Sequence, residues 1–254
     1  NFKYMAEIRQ PLVVSDTYQD PNWIVVEASR HVRSWAGAPI VIHGELLGFL
    51  SLDKAEPGFY FAEIAEPVAA FAIQAGLALE NARLHVEQQH RATHDPLTDL
   101  PNRPLFYDRL EHALALAKRN NQGVSVLFVD LDGFKSINDE FGHDKGDLML
   151  QEIAKRLQAC VRESDTVARM GGDEFTIVLE TLRDQDSLIG ITKKILRVVS
   201  ESFVHNGFEM RISASVGISR FPDDADSGET LVQAADAAMY RAKEQGKGRH
   251  CFFS

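Results

Sequence analysis

Two apolar runs in this chain end in acids. "GVSVLFVDLDGF" closes on Asp130 and Asp132, and in "VARMGGDEFTIVL" the glycine pair Gly171 and Gly172 is followed at once by Asp173 and Glu174. A buried strand that finishes in carboxylates presents them at its C-terminal end, where open α/β sheets bind ligands. Asp also ends strands in ordinary turns, and for the first pair alone that alternative stands. A Gly-Gly link between β runs is a good hairpin turn. Glycine also permits φ > 0 and the close approach of a ligand phosphate. A plain hairpin, however, needs no acid on its returning strand. If that strand lies beside the one ending in Asp130, then Asp130 and Asp173 face one another. Carboxylates that close repel unless a cation sits between them. Oxygen donors without histidine or thiol favour Mg²⁺, and Mg²⁺ with few protein ligands completes its shell with substrate phosphates.

Phosphates need positive partners. The C-terminal "MYRAKEQGKGRH" supplies Lys243, Lys247 and Arg249; the alternative is a solvated helix end whose lysines suit the dipole. Between these groups lies "SINDEFGHDKGD", with Asn138 and Asp147. Guanine presents two adjacent donors, N1–H and the N2 amine, that an amide and a carboxylate can accept, and adenine lacks that donor pair. Asn and Asp also cap helices, so this pair has a purely structural alternative.

The elements that must position these groups follow from pattern. Beyond residue 95, helices are expected near 104–119, 144–161, 185–203 and 229–245. Strands are expected at 123–131, 208–219 and 249–253, with a hairpin at 165–180. That alternation predicts an α/β (α+β) domain with a mixed central sheet flanked by helices. Before residue 60 the signals are short: "PLVV" reads as a strand, "SDTYQDPNW" as a loop, and "APIVIHGELLGFLSLD" as a hairpin turning at His43-Gly44-Glu45. From about Glu63 to His94 the pattern is helical. Pro67 falls in its first turn, and Phe71, Ala75, Ala78 and Ala82 form a stripe with a Leu77–Leu84 step. The later half is polar with one thin apolar seam, as in helices that join domains or pair with a copy of themselves. Packing on its own domain is the alternative for the first half. "HDPLTDLPNRPLF" breaks the helix, so the boundary is placed between an N-terminal domain, 1–93, with a linker helix at about 67–94, and a second domain, 94–254.

Composition bounds the partners. The 254 residues are 44% hydrophobic, enough for a proper core, and the formal net charge is −10. That charge argues against nucleic acid or an anionic membrane as the main partner. Cys160 and Cys251 are far apart and lack a metal-type spacing, which suggests a reducing compartment. The longest apolar run, "PVAAFAIQAGLAL", reads as too short and too polar to span a bilayer. The chain opens on Asn1 rather than Met and reads as part of a longer protein. The expected location is the cytoplasm, with an upstream membrane segment left open.

Taken in order, "DPLTDLPNR", "VDLDGFKSINDEFGHDKGD", "RESDTVARMGGDEF", "SASVGISRFPDD" and "ADAAMYRAKEQGKGR" resemble the GGDEF family, the diguanylate cyclases, over residues 94 to 254. The resemblance implies condensation of two GTP into cyclic di-GMP with release of two pyrophosphates. It implies Mg²⁺ (or Mn²⁺) held by Asp130 and Asp173 with the Leu131 carbonyl assisting. It implies guanine read by Asn138 and Asp147, substrate against Phe134, Gly171 and Gly172, and the β- and γ-phosphates on Lys243 and Lys247. Many relatives carry arginine where Lys247 stands, so the charge is kept and the fork is lost. Asp130, Asp173 and Glu174 are the implied catalytic residues, Glu174 through metal binding or activation of the 3′-hydroxyl. Arg162 and Asp165 of "RESD", with five residues between Asp165 and Gly171, fit the family's RxxD site, where product cyclic di-GMP inhibits. Residues 1 to about 93 resemble the later part of a GAF domain, carried by "SWAGAPIVIHGELLGFLSLDKAEPGFYFAEIAEPVAAFAIQAGLALENARL". That implies a sensor with an unknown small-molecule ligand, for which His31, His43 and Trp35 are candidate lining residues, and a homodimer through the GAF segment and linker helix. Two rivals to a working cyclase are a GTP or cyclic di-GMP receptor without turnover and a regulator of a phosphodiesterase domain beyond Ser254. The intact "GGDEF", Asp130 and Lys243 count against the receptor.

Overall fold

The computed structural model describes residues 1–24, 27–181, 184–205 and 208–254. The chain divides into two compact units, residues 1–89 and 90–254.

In the first unit a short helix α1 (Phe2–Ile8) precedes an antiparallel sheet ordered β1 (Leu12–Val14), β2 (Ser34–Ile42), β3 (Glu45–Lys54). The β2–β3 turn is His43-Gly44, with φ of 50° and 83°. Positive φ at both central residues matches the right-handed twist of the flanking strands. Helix α2 (Ala65–Thr93) follows. Its inward stripe is Val68, Ala72 and Gly76, all buried, four residues apart, and Val68 and Ala72 pack with Ala36, Ala38 and Ile40 of β2. Of the sequence-derived seam, Ala75 is partly buried against that cluster, while Phe71, Leu77, Ala78, Ala82 and Leu84 are exposed. Ile73 is exposed on the same side as Leu77 and Leu84, whereas Leu79 and Val86 are exposed on the side that carries the buried stripe. Among the described residues Ala62–Thr93 is long and apolar enough to cross a membrane, contrary to the expectation from its apolar run; an 18-residue window reaches a mean hydropathy of 1.3 because the run continues past its centre with few charges. Helices packed on sheets pass the same test of length and composition, so it assigns no membrane.

The second unit runs α3 (Arg103–Asn120), β4 (Val124–Asp132), α4 (Phe134–Phe141), α5 (His143–Gln158), β5 (Thr166–Gly171), β6 (Glu174–Glu180), α6 (Gln185–Ser200), β7 (Phe203–His205), β8 (Phe208–Met210), β9 (Ser213–Phe221), α7 (Gly228–Glu244) and β10 (His250–Phe252). The main sheet has the order β10-β9-β4-β6-β5, with β10 parallel to β9 and the other neighbours antiparallel. This is the mixed sheet the alternation predicts.

Strand β4 lies at its centre and is covered on both faces, which is why it reads as a continuous apolar run. Leu127, Val129 and Leu131 pack with Met149, Ile153, Leu188 and Ile195 of α5 and α6. Val124, Val126 and Phe128 pack with Phe106, Leu110, Leu231 and Met239 of α3 and α7. Side chains alternate along a strand, so Asp130 continues the second series and ends it, buried, on the α7 side.

Four elements differ from expectation. The eight-residue α4 lies between Gly133 and Gly142 and is too short for a helical window to register, although Phe134, Ile137 and Phe141 share its inner face. The expected strand 208–219 is two strands broken at Arg211 and Ile212, and the expected helix 185–203 stops at Ser200, where β7 begins a small hairpin with β8. Helix α1 stands where short strands and turns are expected.

Candidate active site

The site grows from the end of β4. In the β4–β6 register Asp130 stands opposite Glu174, so the two carboxylates share one face of the sheet. The Leu131 amide donates to the Asp173 carbonyl at 3.3 Å, which binds the glycine turn to the same strand end. From α7, Lys243 Nζ reaches Asp130 Oδ2 at 2.7 Å. Burial pushes the Asp130 carboxyl above its ordinary range; Lys243 opposes this, and the charges of Asp173 and Asp132 add to it. Burial also raises Glu174, and Asp130, Asp236 and Asp173 raise it further. The region therefore carries more negative charge than its one lysine neutralises.

Asp132, two residues along the same face, is different. Its Oδ1 accepts from Ser215 Oγ at 2.7 Å, and its Oδ2 accepts from Ser213 Oγ at 2.7 Å and from the Gly248 amide at 3.0 Å. This carboxylate fastens the loop bearing Lys247, whose own φ is 64°, to the end of the sheet. Of the two acids that end β4, Asp130 accepts from Lys243 alone among the described residues.

The glycine turn has φ of 142° at Gly171 and 54° at Gly172, and a Cβ on either would meet nothing within 4 Å. The turn is thus both conformationally demanding and open above its backbone. A clamp holds it from below. Arg169 Nε and Nη2 donate to the Gly172 carbonyl at 3.0 and 2.7 Å, and Nη1 donates to Asp95 Oδ1 at 2.9 Å. That same Asp95 oxygen accepts the Thr98 amide and hydroxyl, at 2.9 and 2.7 Å. Burial acts to raise the Asp95 carboxyl, but the bonds from Thr98 and Arg169 outweigh it and hold the group below its ordinary range. Neither residue of this clamp is among the sequence-derived candidates. The arginine two places before the glycines is the only local cue.

The candidate guanine readers lie on consecutive helices, Asn138 on α4 and Asp147 on α5. Neither side chain has a hydrogen-bond partner among the described residues, so both are open to a ligand. Phe134 is 8% exposed as a residue and its side chain belongs to the core. What it offers is main chain. Helix α4 starts directly after β4 at Gly133 with no side-chain cap, and uncapped first-turn amides suit an anion.

Arg162 and Asp165 lie away from this cluster. Asp165 Oδ2 accepts the Arg162 amide at 2.9 Å and Oδ1 accepts the Glu180 amide at 3.1 Å, so its carboxylate closes the loop and pins the end of β6. Arg162 is exposed beside a groove of about 240 Å³ that Arg109 of α3 also lines. In the first unit, His31 and Trp35 line a cavity of about 450 Å³ with Trp23 and Phe2, whereas His43 sits in the β2–β3 turn and lines a different one.

The donor set fits a hard divalent cation: the candidate ligands Asp130, Asp173 and the Leu131 carbonyl offer oxygen only, in a region of excess negative charge. Among the described residues no three His, Cys, Asp or Glu side chains are grouped as a ready metal cage, and Lys243 occupies one oxygen of Asp130.

Sequence and structure comparisons agree on what this fold and site define. Residues 92–249 match the family model "Diguanylate cyclase, GGDEF domain", and residues 3–79 match the GAF domain. The first match covers more than half of the chain, which therefore belongs to the GGDEF family. The bifunctional diguanylate cyclase/cyclic di-GMP phosphodiesterase MucR of Pseudomonas aeruginosa is 46% identical over 177 residues, 70% of this chain and 26% of that protein. Diguanylate cyclase TpbB of the same organism is 42% identical over 176 residues, 69% of this chain and 40% of that protein. The solved GGDEF domain of TpbB matches with a TM-score of 0.62 at 40% identity, covering 63% of this chain and 94% of that one. The coiled coil and GGDEF domain of DgcB from Caulobacter crescentus, in complex with c-di-GMP, matches with a TM-score of 0.63 at 28% identity, covering 72% and 97%. The chain thus spans between a quarter and two fifths of the first of these curated relatives.

Proposed function

We propose that this chain is the GAF and GGDEF portion of a cytoplasmic diguanylate cyclase that condenses two GTP into cyclic di-GMP. The observation that carries the reading is the strand-end pairing of Asp130 with Glu174, on the face where Lys243 arrives and beside an open Gly171-Gly172 turn. Asp130, Asp173 and the Leu131 carbonyl would hold Mg²⁺ (or Mn²⁺). When bound, the ion supplies neutralisation of charge on the phosphates. Lys243, Lys247 and the α4 amides hold the phosphates, and Asn138 and Asp147 accept from guanine. Each domain carries one GTP. The 3′-hydroxyl of one attacks the α-phosphate of the other, forming a P–O bond as pyrophosphate leaves. A second, symmetric attack closes the ring.

Two sites must therefore face each other, in a two-fold arrangement of two chains. The exposed apolar face of α2 is the surface on which a second copy pairs, and its occupant is supported by this need for two sites. The GAF segment tunes that pairing through a small-molecule ligand, and Arg162 with Asp165 binds product to inhibit. The test is incubation with GTP and Mg²⁺. The expected outcome is one cyclic di-GMP per two pyrophosphates, at a rate per chain that rises with protein concentration. Leu77→Glu with Leu84→Glu should shift that rise to higher concentration. Monomers of that double variant that turned over at a rate per chain independent of concentration would break the paired-site mechanism. The likeness to bifunctional MucR, of which this chain spans only 26%, favours one other reading, a module that regulates an adjoining phosphodiesterase. GTP binding with no detectable turnover would select it.

A further inference from the structure

Helices α4 and α5 touch where the Asn138 side chain meets Gly146. A Cβ built on Gly146 would overlap Asn138 Oδ1, would lie 3.0 Å from its Cγ, and would lie 3.2 Å from Phe134 Cζ. Gly146 is buried in the first half of α5, one residue before Asp147. A glycine there is locally unfavourable, since alanine is the better helix former. The space it leaves is filled by the Asn138 carboxamide. We propose that Gly146 is a specificity-determining positioning residue: by lacking a Cβ it seats the Asn138 carboxamide against α5, next to Asp147, so that the two acceptors face one guanine edge. The inference rests on the reading of Asn138 and Asp147 as guanine acceptors.

The geometry makes a distinctive prediction, because the atom in the way is the far end of a flexible side chain. Gly146→Ala turns the Asn138 carboxamide aside and leaves the helices in place. In the proposed pose the Asn138 carboxamide oxygen accepts from the exocyclic amine and the Asp147 carboxylate from N1–H, so the site then loses its hold on the amine. Binding of a non-hydrolysable GTP analogue should weaken roughly tenfold, the value of about one hydrogen bond. Binding of the matching inosine analogue, which lacks that amine, should change little. The GTP-to-ITP preference should therefore collapse, which a general loss of fold would not produce.

Asn138→Ala provides the second arm. It should collapse the same preference, and adding Gly146→Ala to it should cost no further affinity, since the displaced group is already gone. In that background only the contact with Phe134 Cζ at 3.2 Å remains, so Gly146→Ala should be far less damaging than in the wild type and, where the ring yields, should raise the melting temperature by up to about 4 °C as the helix gains alanine. If Gly146→Ala alone fails to fold and the double variant folds, the steric contact is equally supported. If Asn138→Ala collapses the preference and Gly146→Ala leaves it intact, or if the two losses add, the role of Gly146 is overturned and the guanine reading stands. If Asn138→Ala weakens GTP and ITP alike, this inference falls and the guanine reading stands; if it leaves the affinity for GTP intact, the guanine reading itself fails and this inference falls with it.

Discussion

Two half-buried aspartates in the second unit, each beside a cationic side chain, end in opposite states. At the end of β4, Asp130 has one donor, Lys243, and burial with neighbouring acids drives it and Glu174 upward. At the start of the unit, Asp95 has three donors from Thr98 and Arg169 and is driven downward in spite of its burial. Burial raises both groups, so burial does not separate them. The number of hydrogen bonds to the charged form does. A carboxylate with its donors complete holds structure, and one left short is held ready for charge from outside the chain.

The comparison breaks most readily at Asp173. If the β4 end is unfinished for a functional reason, Asp173→Asn should leave the fold intact and lower GTP turnover by roughly 10²–10³-fold, or about 3–4 kcal/mol of transition-state stabilisation. Turnover beside a thermal melt checks both halves. Near-normal activity in a folded variant would mean that these acids are structural after all.

The Asp95 clamp should behave in the opposite way. Asp95→Ala leaves Arg169, 11% exposed in its side chain, without its carboxylate. Charge-assisted bonds of this kind contribute about 1.5–3 kcal/mol. The melting temperature should fall by several degrees, roughly 2–4 °C per kcal/mol. Activity should fall as well, because Arg169 also holds the Gly172 carbonyl. The pH dependence has a definite sign. The folded carboxyl of Asp95 lies below its ordinary value of 3.8, so its contribution is complete above 3.8 and is lost as pH falls through the folded value. The gap in melting temperature between wild type and Asp95→Asn should therefore narrow below pH 3.8. A constant gap would show that the clamp is not ionic.

These differences mark how much the chain discloses of itself. The β4 run, the glycine hairpin and the acids at their ends follow from residue type and period, because strands impose alternation and turns impose glycine. Asp130 and Asp132 look equivalent in sequence. They part only because Ser213, Ser215 and Gly248 come from elements more than eighty residues away and happen to meet one of them. The clamp is hidden for the same reason, since Asp95 and Arg169 are 74 residues apart. Helix α4 is hidden by its brevity, and Phe134 by the direction in which that helix points its first side chain. Gly146 reads as a defect in a helix until the Asn138 side chain is seen lying on it.

The smallest effect sharpens the comparison furthest. Glu174 stands directly opposite Asp130 across the β4–β6 pair, and like charges in that position destabilise a sheet. Lys243 sits on Asp130, and its pull on Glu174 is the weakest of the influences acting there. Glu174→Gln keeps the shape and removes one of the repelling charges. The change should stabilise the protein at neutral pH by about 0.2–1 kcal/mol, a rise in melting temperature of up to about 4 °C. Turnover should fall at the same time, since a charge assigned to metal binding or 3′-hydroxyl activation is lost. Such opposed shifts are expected where a site holds destabilising charge for function. Melts repeated with Mg²⁺ and a non-hydrolysable GTP analogue should erase the stability gain, because bound cation relieves in the wild type the repulsion that the substitution removes. A variant less stable than wild type under both conditions would show Glu174 to be a structural acid like Asp132, and the unfinished region would shrink to Asp130 and Asp173.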